Sequence, residues 1–179
     1  MGKDGDTVGS QRIPSSLSET QKAFIAGFLE GDGSISAKIF PTSRKRLIYR
    51  VKLVISFSQH SRNREILEYL QRMLGGSLKD YPSHSQSELV IYERKRVEEI
   101  LRMLLPYLVV KKKQVLLALE IIEKFKKRKK GKRSWLTPKD LIEIVKIAEE
   151  IRKLNSSRKN KTVHNLEKVK QRLKEEGIL

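Results

Sequence analysis

Between Phe24 and Ile35 the chain reads FIAGFLEGDGSI, with carboxylates at Glu30 and Asp32 set among glycines at 27, 31 and 33. Carboxylates in such a setting hold a divalent cation through oxygen or move a proton. Glycine in a helix interior costs roughly 1 kcal/mol relative to alanine, so Gly27 and Gly31 need a compensating role. Four apart, they stack on one helix face and bare the backbone there, so that a second helix can approach closely. By itself that spacing more often reflects ordinary tight packing than a site. If the second helix is an identical copy, two-fold symmetry brings two Asp32 carboxylates together at the axis. Close like charges call for a cation between them. Oxygen ligands favour Mg²⁺, and a site of this kind can activate a water and stabilise the leaving oxygen of a phosphodiester displacement. The plainer alternative is that Glu30 and Asp32 only terminate a helix.

Composition narrows the partner. Lys and Arg number 39 against 21 Asp and Glu, and the resulting net charge of +18 is spread along all 179 residues. That balance points to a polyanion, nucleic acid first. An anionic membrane surface is the competing explanation, but no apolar run approaches about 20 residues and no signal-peptide pattern occurs. The expectation is a soluble protein with no membrane partner. Absence of cysteine excludes disulfides, a thiolate nucleophile and a Cys-based zinc site. His60, His84 and His164 lie far apart and match no ligand spacing, so any catalytic metal must be held by oxygen.

The elements that must position these groups follow from periodicity and punctuation. Met1 to Ile13 are polar and Gly-rich without a period and read as a disordered leader. The remainder, 14–179, reads as a single domain with a core over about 17–154 and a helical extension beyond it. Ser18 and Gln21 make a capping box for a helix that begins near Glu19 and stops at Gly33. The period then changes to two. Ile35, Ala37 and Ile39 oppose Ser34, Ser36, Lys38 and Phe40; after a turn from Pro41 to Arg46, Leu47, Tyr49, Val51, Leu53, Ile55 and Phe57 oppose Ile48, Arg50, Lys52, Val54, Ser56 and Ser58. One face is core and the other largely polar and basic. A helix through Ile66, Leu67, Leu70, Met73 and Leu74 closes at Gly75 and Gly76. Two short strands, near Ser77 to Tyr81 and Glu88 to Tyr92, precede a helix from Arg94 that Pro106 interrupts. Three more helices are predicted: Lys111 to about Lys127, Pro138 to Leu154 with Thr137 as cap, and about Thr162 to Glu176. The run KKRKKGKRS from Lys126 to Ser134 is either a solvated loop or a phosphate-gripping arm.

At Ile25-Ala26-Gly27-Phe28-Leu29-Glu30-Gly31-Asp32-Gly33 the chain resembles the helix that names the LAGLIDADG homing endonucleases, with Glu30 replacing the first Asp. The helix, strand, strand order that follows, and its repetition, strengthen the resemblance, which spans roughly Leu17 to Leu154. A single copy of the motif resembles the homodimeric branch. What the resemblance implies is an α+β fold, an αββαββα core with an antiparallel DNA-binding sheet and additional C-terminal helices. It also implies a Mg²⁺-dependent, site-specific double-strand DNA endonuclease, with Mn²⁺ as an alternative and Ca²⁺ as a non-catalytic substitute. It would be intron- or intein-associated and would work in a prokaryotic cytoplasm or organelle matrix on no small-molecule substrate. Asp32 would bind metal with help from the Gly31 carbonyl, while Gln59 and Lys111 would line the cleavage pocket and order its waters. Gly27, Phe28 and Gly31 would form the dimer interface. The family often carries a basic residue four positions after that glutamine; here Asn63 stands there, between Arg62 and Arg64.

The basic sheet face would then lie in a major groove, presenting Lys38, Thr42, Arg44, Arg46, Arg50, Lys52, Ser56, Lys79 and Tyr81 to base edges and phosphates. A strand of about nine residues at ~3.3 Å each spans ~30 Å, so two copies would cover roughly 20 base pairs of an imperfect palindrome. The alternative is a non-cleaving nucleic-acid binder of the same fold, an RNA maturase or a transcription factor.

Overall fold

A computed structural model describes residues 17–42, 49–126, 137–155 and 165–178. The expected leader, Arg44 and Arg46, and most of the basic run after Lys126 lie outside the described residues.

The first helix, α1 (Glu19–Asp32), starts on the expected capping box: Gln21 N–H donates to Ser18 Oγ at 3.2 Å and Ser18 N–H to Gln21 Oε1 at 2.9 Å. It ends where Gly33 turns extended and begins β1 (Gly33–Pro41). β1 pairs antiparallel with β2 (Tyr49–His60), with Gly33 opposite Phe57. Next come α2 (Arg64–Leu74), β3 (Ser77–Tyr81), β4 (Gln86–Ile91) and α3 (Arg94–Leu104). α2 closes at Gly75, and both Gly75 (φ 68°) and Gly76 (φ 100°) take left-handed backbone that a side chain would strain. A short 3₁₀ turn at Leu105–Tyr107 carries Pro106 and leads into α4 (Lys112–Lys126). α5 (Pro138–Asn155) follows, with Thr137 and Asp140 exchanging backbone and side-chain hydrogen bonds at its start. α6 (Leu166–Glu175) opens on Asn165, whose side chain accepts from Lys168 N–H, and so starts later than the predicted Thr162.

The sheet order is β1-β2-β4-β3, every pair antiparallel. Its inner face, from Ile35 through Val51, Leu53, Ile55 and Phe57 to Leu89 and Ile91, is buried. α1, α2 and α3 lie on it, and α4 and α5 extend the same core along β1. Asn155 at the end of α5 donates from Nδ2 to the Ile35 carbonyl at 2.6 Å, tying the helical extension to the strand that leaves the motif. Fully burying each of these large apolar side chains is worth about 1.5–3 kcal/mol. Among the described residues, the helices share the core on this inner face, while Lys38, Arg50, Lys79 and Tyr81 on the opposite face are exposed.

Candidate active site

α1 puts its two interior glycines on open surface. Gly27 and Gly31 are exposed, and a Cβ built at either would meet nothing within 4 Å. The close packing expected of this face therefore does not occur inside the protomer. Phe28, also expected at the interface, is partly buried against the core, its ring 6.0 Å from that of Phe57. The aromatic residue that α1 shows to solvent is Phe24, 41% exposed and edge-on to Tyr69 of α2.

At the C-terminal end of α1, Asp32 is exposed. The β1–β2 register draws the end of β2 alongside it, so that Gln59, 27 residues away, donates from Nε2 to Asp32 Oδ2 at 2.6 Å. Asn63 Nδ2 in turn reaches Gln59 Oε1 at 3.4 Å. Lys111, the residue before α4, donates from Nζ to the Leu29 carbonyl at 3.0 Å and to the Glu30 carbonyl. Asp32, Gln59 and Lys111 thus come together from the end of α1, the end of β2 and the turn before α4. Burial lowers the Lys111 ammonium below its ordinary pKa, while the charges of Glu30 and Asp32 hold it up.

Glu30 has a role that sequence reasoning missed. Its Oε1 accepts the N–H groups of Val109 at 2.8 Å and Lys111 at 3.0 Å. Burial alone would raise this carboxyl, but the N–H groups of Lys111, Val109 and Val110 outweigh it and leave the pKa below the ordinary value. The helix-terminating alternative is therefore too small a role for Glu30. Only its replacement of an aspartate by a longer side chain hinted at this reach.

The donor chemistry at Asp32 fits a hard cation. The carboxylate is exposed and sits at the negative end of a helix whose last turn contains no basic residue, a position that favours a cation and disfavours an unpaired acid. Among the described residues no three His, Cys, Asp or Glu side chains gather, so one protomer offers a single carboxylate at this position rather than a closed cage.

Of the arginines beside Asn63, Arg64 is committed: its Nε lies 3.1 Å from Asp80 Oδ1, and its guanidinium also pairs with Glu68. Asp80 is held further by Ser87 Oγ at 2.7 Å. Arg62 is exposed.

Across the basic sheet face, Lys38, Arg50, Lys79 and Tyr81 are exposed, and Thr42 and Lys52 are half-buried. Arg50 lies over the Phe40 ring at 5.6 Å and Lys52 over Tyr92 at 5.0 Å. Ser56 differs from the other expected contacts: it is buried, its Oγ 3.1 Å from that of Ser34, directly opposite in the register. Glu88, absent from the expected set, is an acid on this basic face, opposite Lys79 and bonded by Tyr81 Oη at 3.3 Å. Beyond the sheet, Lys124 pairs with Glu143 at 2.7 Å and Lys126 with Glu98, so these two lysines fasten helices to one another.

The family model described as LAGLIDADG endonuclease matches residues 25–122. Over 140 residues the chain is 31% identical to the DNA endonuclease I-CreI of Chlamydomonas reinhardtii, covering 78% of this chain and 81% of that protein. The DNA endonuclease I-CvuI of Chlorella vulgaris is 29% identical over 155 residues, 87% and 91% of the respective chains. The crystal structure of the homing endonuclease I-CvuI with its target in the presence of calcium is similar at a TM-score of 0.76 and 29% identity, across 88% of this chain and 95% of that one. The archaeal intron-encoded homing endonuclease I-Vdi141I complexed with DNA, 24% identical, shares the fold at a TM-score of 0.73, across 89% of this chain and 98% of that one.

Proposed function

Because the chain belongs to the LAGLIDADG endonuclease family, we propose that it is a site-specific double-strand DNA endonuclease, acting as a homodimer on a long, imperfectly palindromic site. The observation that carries this reading is the meeting of Asp32, Gln59 and Lys111 at the end of a helix whose glycine face is open to a second copy. Packing α1 against its two-fold mate sets one Asp32 from each protomer at the axis. Asp32, helped by the Gly31 carbonyl, would hold Mg²⁺, or Mn²⁺ in its place, while Ca²⁺ would bind without supporting cleavage. When bound, the metal supplies a more acidic water and neutralises charge on the scissile phosphate.

The chain's own residues do the rest. Gln59 orients one Asp32 oxygen by hydrogen bond and leaves the other to ligate. The Lys111 ammonium stands ready to stabilise negative charge on the reacting oxygens. Of the two arginines beside Asn63, Arg62 is the one left to meet phosphate, since Arg64 is taken up by Asp80 and Glu68. Lys38, Thr42, Arg44, Arg46, Arg50, Lys52, Lys79 and Tyr81 would contact DNA in the major groove.

The deciding experiment is recovery of cut sites from a randomised duplex library, with and without Mg²⁺, for the wild type and Asp32→Asn. Cut products only from the wild type with Mg²⁺ support the reading. Equal cutting by Asp32→Asn refutes the metal assignment, and binding without any cutting makes the protein a non-cleaving binder of the same fold.

A further inference from the structure

The side chain of Glu30 does not serve its own helix. It reaches across 79 and 81 residues of chain to accept the N–H groups of Val109 and Lys111. Lys111 stands immediately before α4, whose first turn carries no acid, and Val109 lies in the turn that leads to it. In return Lys111 Nζ donates to the Leu29 and Glu30 carbonyls in the last turn of α1, which carries no base. Each helix supplies the charge that the end of the other lacks. The turn leaves the core at Leu108, which is buried, but Val109 and Val110 beyond it are 81% and 72% exposed. Past Leu108 the backbone is held by the hydrogen bonds to Glu30.

We propose that Glu30 is a positioning residue for DNA cleavage: by clamping the Val109–Lys111 backbone it sets the Lys111 ammonium beside Asp32. This rests on the nuclease reading above. An ammonium has three N–H donors; the two α1 carbonyls take two, and the third remains for a water or a phosphate oxygen. Loss of the clamp leaves Lys111 misplaced, which harms the reaction far more than the grip on DNA.

The test is a double-mutant cycle of Glu30→Ala with Lys111→Ala on a duplex recovered from the library selection. It is read by single-turnover cutting in Mg²⁺ and by affinity in Ca²⁺. Glu30→Ala is expected to slow cutting about tenfold or more with the Kd changed less than about threefold, and to add less than about threefold when Lys111 is already alanine. Glu30→Gln, which keeps an acceptor oxygen, should recover most of the loss, and Glu30→Asp, one methylene shorter, should recover little. Equal slowing in both backgrounds, or matching losses of rate and affinity, overturns the proposal. Amide hydrogen exchange provides a readout independent of cutting: Glu30→Ala should deprotect the Val109 and Lys111 amides and leave the α1 interior protected. Failure of the wild type to cut any duplex defeats the nuclease reading, whereas unchanged exchange in Glu30→Ala overturns the clamp whether or not the protein cuts.

Discussion

At Lys111, burial and neighbouring charge pull in opposite directions. Burial works against its charge, and the two acids nearby, Glu30 and Asp32, work for it. Its ammonium is hydrogen-bonded to the end of the helix that carries the carboxylate proposed to bind metal. Removing it in Lys111→Ala should slow single-turnover cleavage about 10²-fold, within the span usual for a positioned charge or proton donor, while Kd rises only a few-fold. Lys111→Arg should not restore the rate, because a planar fork cannot place compact donors on two neighbouring carbonyls. A wild-type rate in either variant would remove Lys111 from the pocket. Glu98 is the contrasting case. Burial would raise its carboxyl, but hydrogen bonds from Lys126 and Arg102 prevail and leave it below the ordinary carboxylate range. A depressed carboxyl stabilises the fold above the unfolded-state pKa of about 4.3 and loses that contribution as pH falls through the folded-state value. Glu98→Gln should therefore cost about 1 kcal/mol at neutral pH, and the difference from wild type should shrink below about pH 4. Urea unfolding at both pH values checks this; a penalty independent of pH would mean that packing, not charge, is lost.

The elements were legible in the sequence where their signals are local. The capping box at Ser18, the stop at Gly33, the two glycines after α2 and the proline that opens α5 all act within a few residues, and each boundary formed as predicted. Alternation likewise told the core face of β1 and β2 from the basic one. Less legible was what a face meets after folding. Val54 and Ser56 share the basic face by parity, yet both are buried, Ser56 against the Ser34 hydroxyl across the pair. Phe28 lies one position after Gly27 and packs near Phe57. The Glu30 contact joins residues about 80 apart, and no short-range pattern encodes which distant turn a carboxylate will reach. The site was legible through its motif and its resemblance; the clamp behind it required the tertiary fold. At this scale the glycine face makes the sharpest prediction. Gly31→Leu has room within the protomer, so its far-UV spectrum should match wild type, whereas sedimentation should show a monomer and cleavage should cease. Gly27→Ala should raise the stability of a protomer by about 0.5–1 kcal/mol, the ordinary helix-propensity gain, and weaken self-association. A leucine variant that still sediments as a dimer would place the interface elsewhere.

For the whole molecule, charge and architecture act on different steps. The net charge of +18 per chain gives long-range attraction to any duplex, and neutralising phosphates releases counterions. Affinity measured by fluorescence anisotropy should fall about 10³-fold or more between 50 and 200 mM salt, in parallel for cognate and unrelated duplexes. A flat salt profile would mean that few phosphates are contacted. On the proposed docking, selectivity would depend on the basic sheet face, where Glu88 is the odd residue. A carboxylate facing a polyanion is unfavourable unless it meets a donor, so Glu88→Gln should tighten binding to unrelated DNA and relax preference at one base pair of each half-site.

The carboxylate proposed to hold metal hangs from the same helix that carries the open glycine face. On that proposal a solitary protomer would own half a centre, and at dilutions where copies seldom meet, strand scission should rise with the square of dose. A few molecules in a cell would leave its chromosome intact, and the enzyme would become dangerous only once enough of it had accumulated to pair.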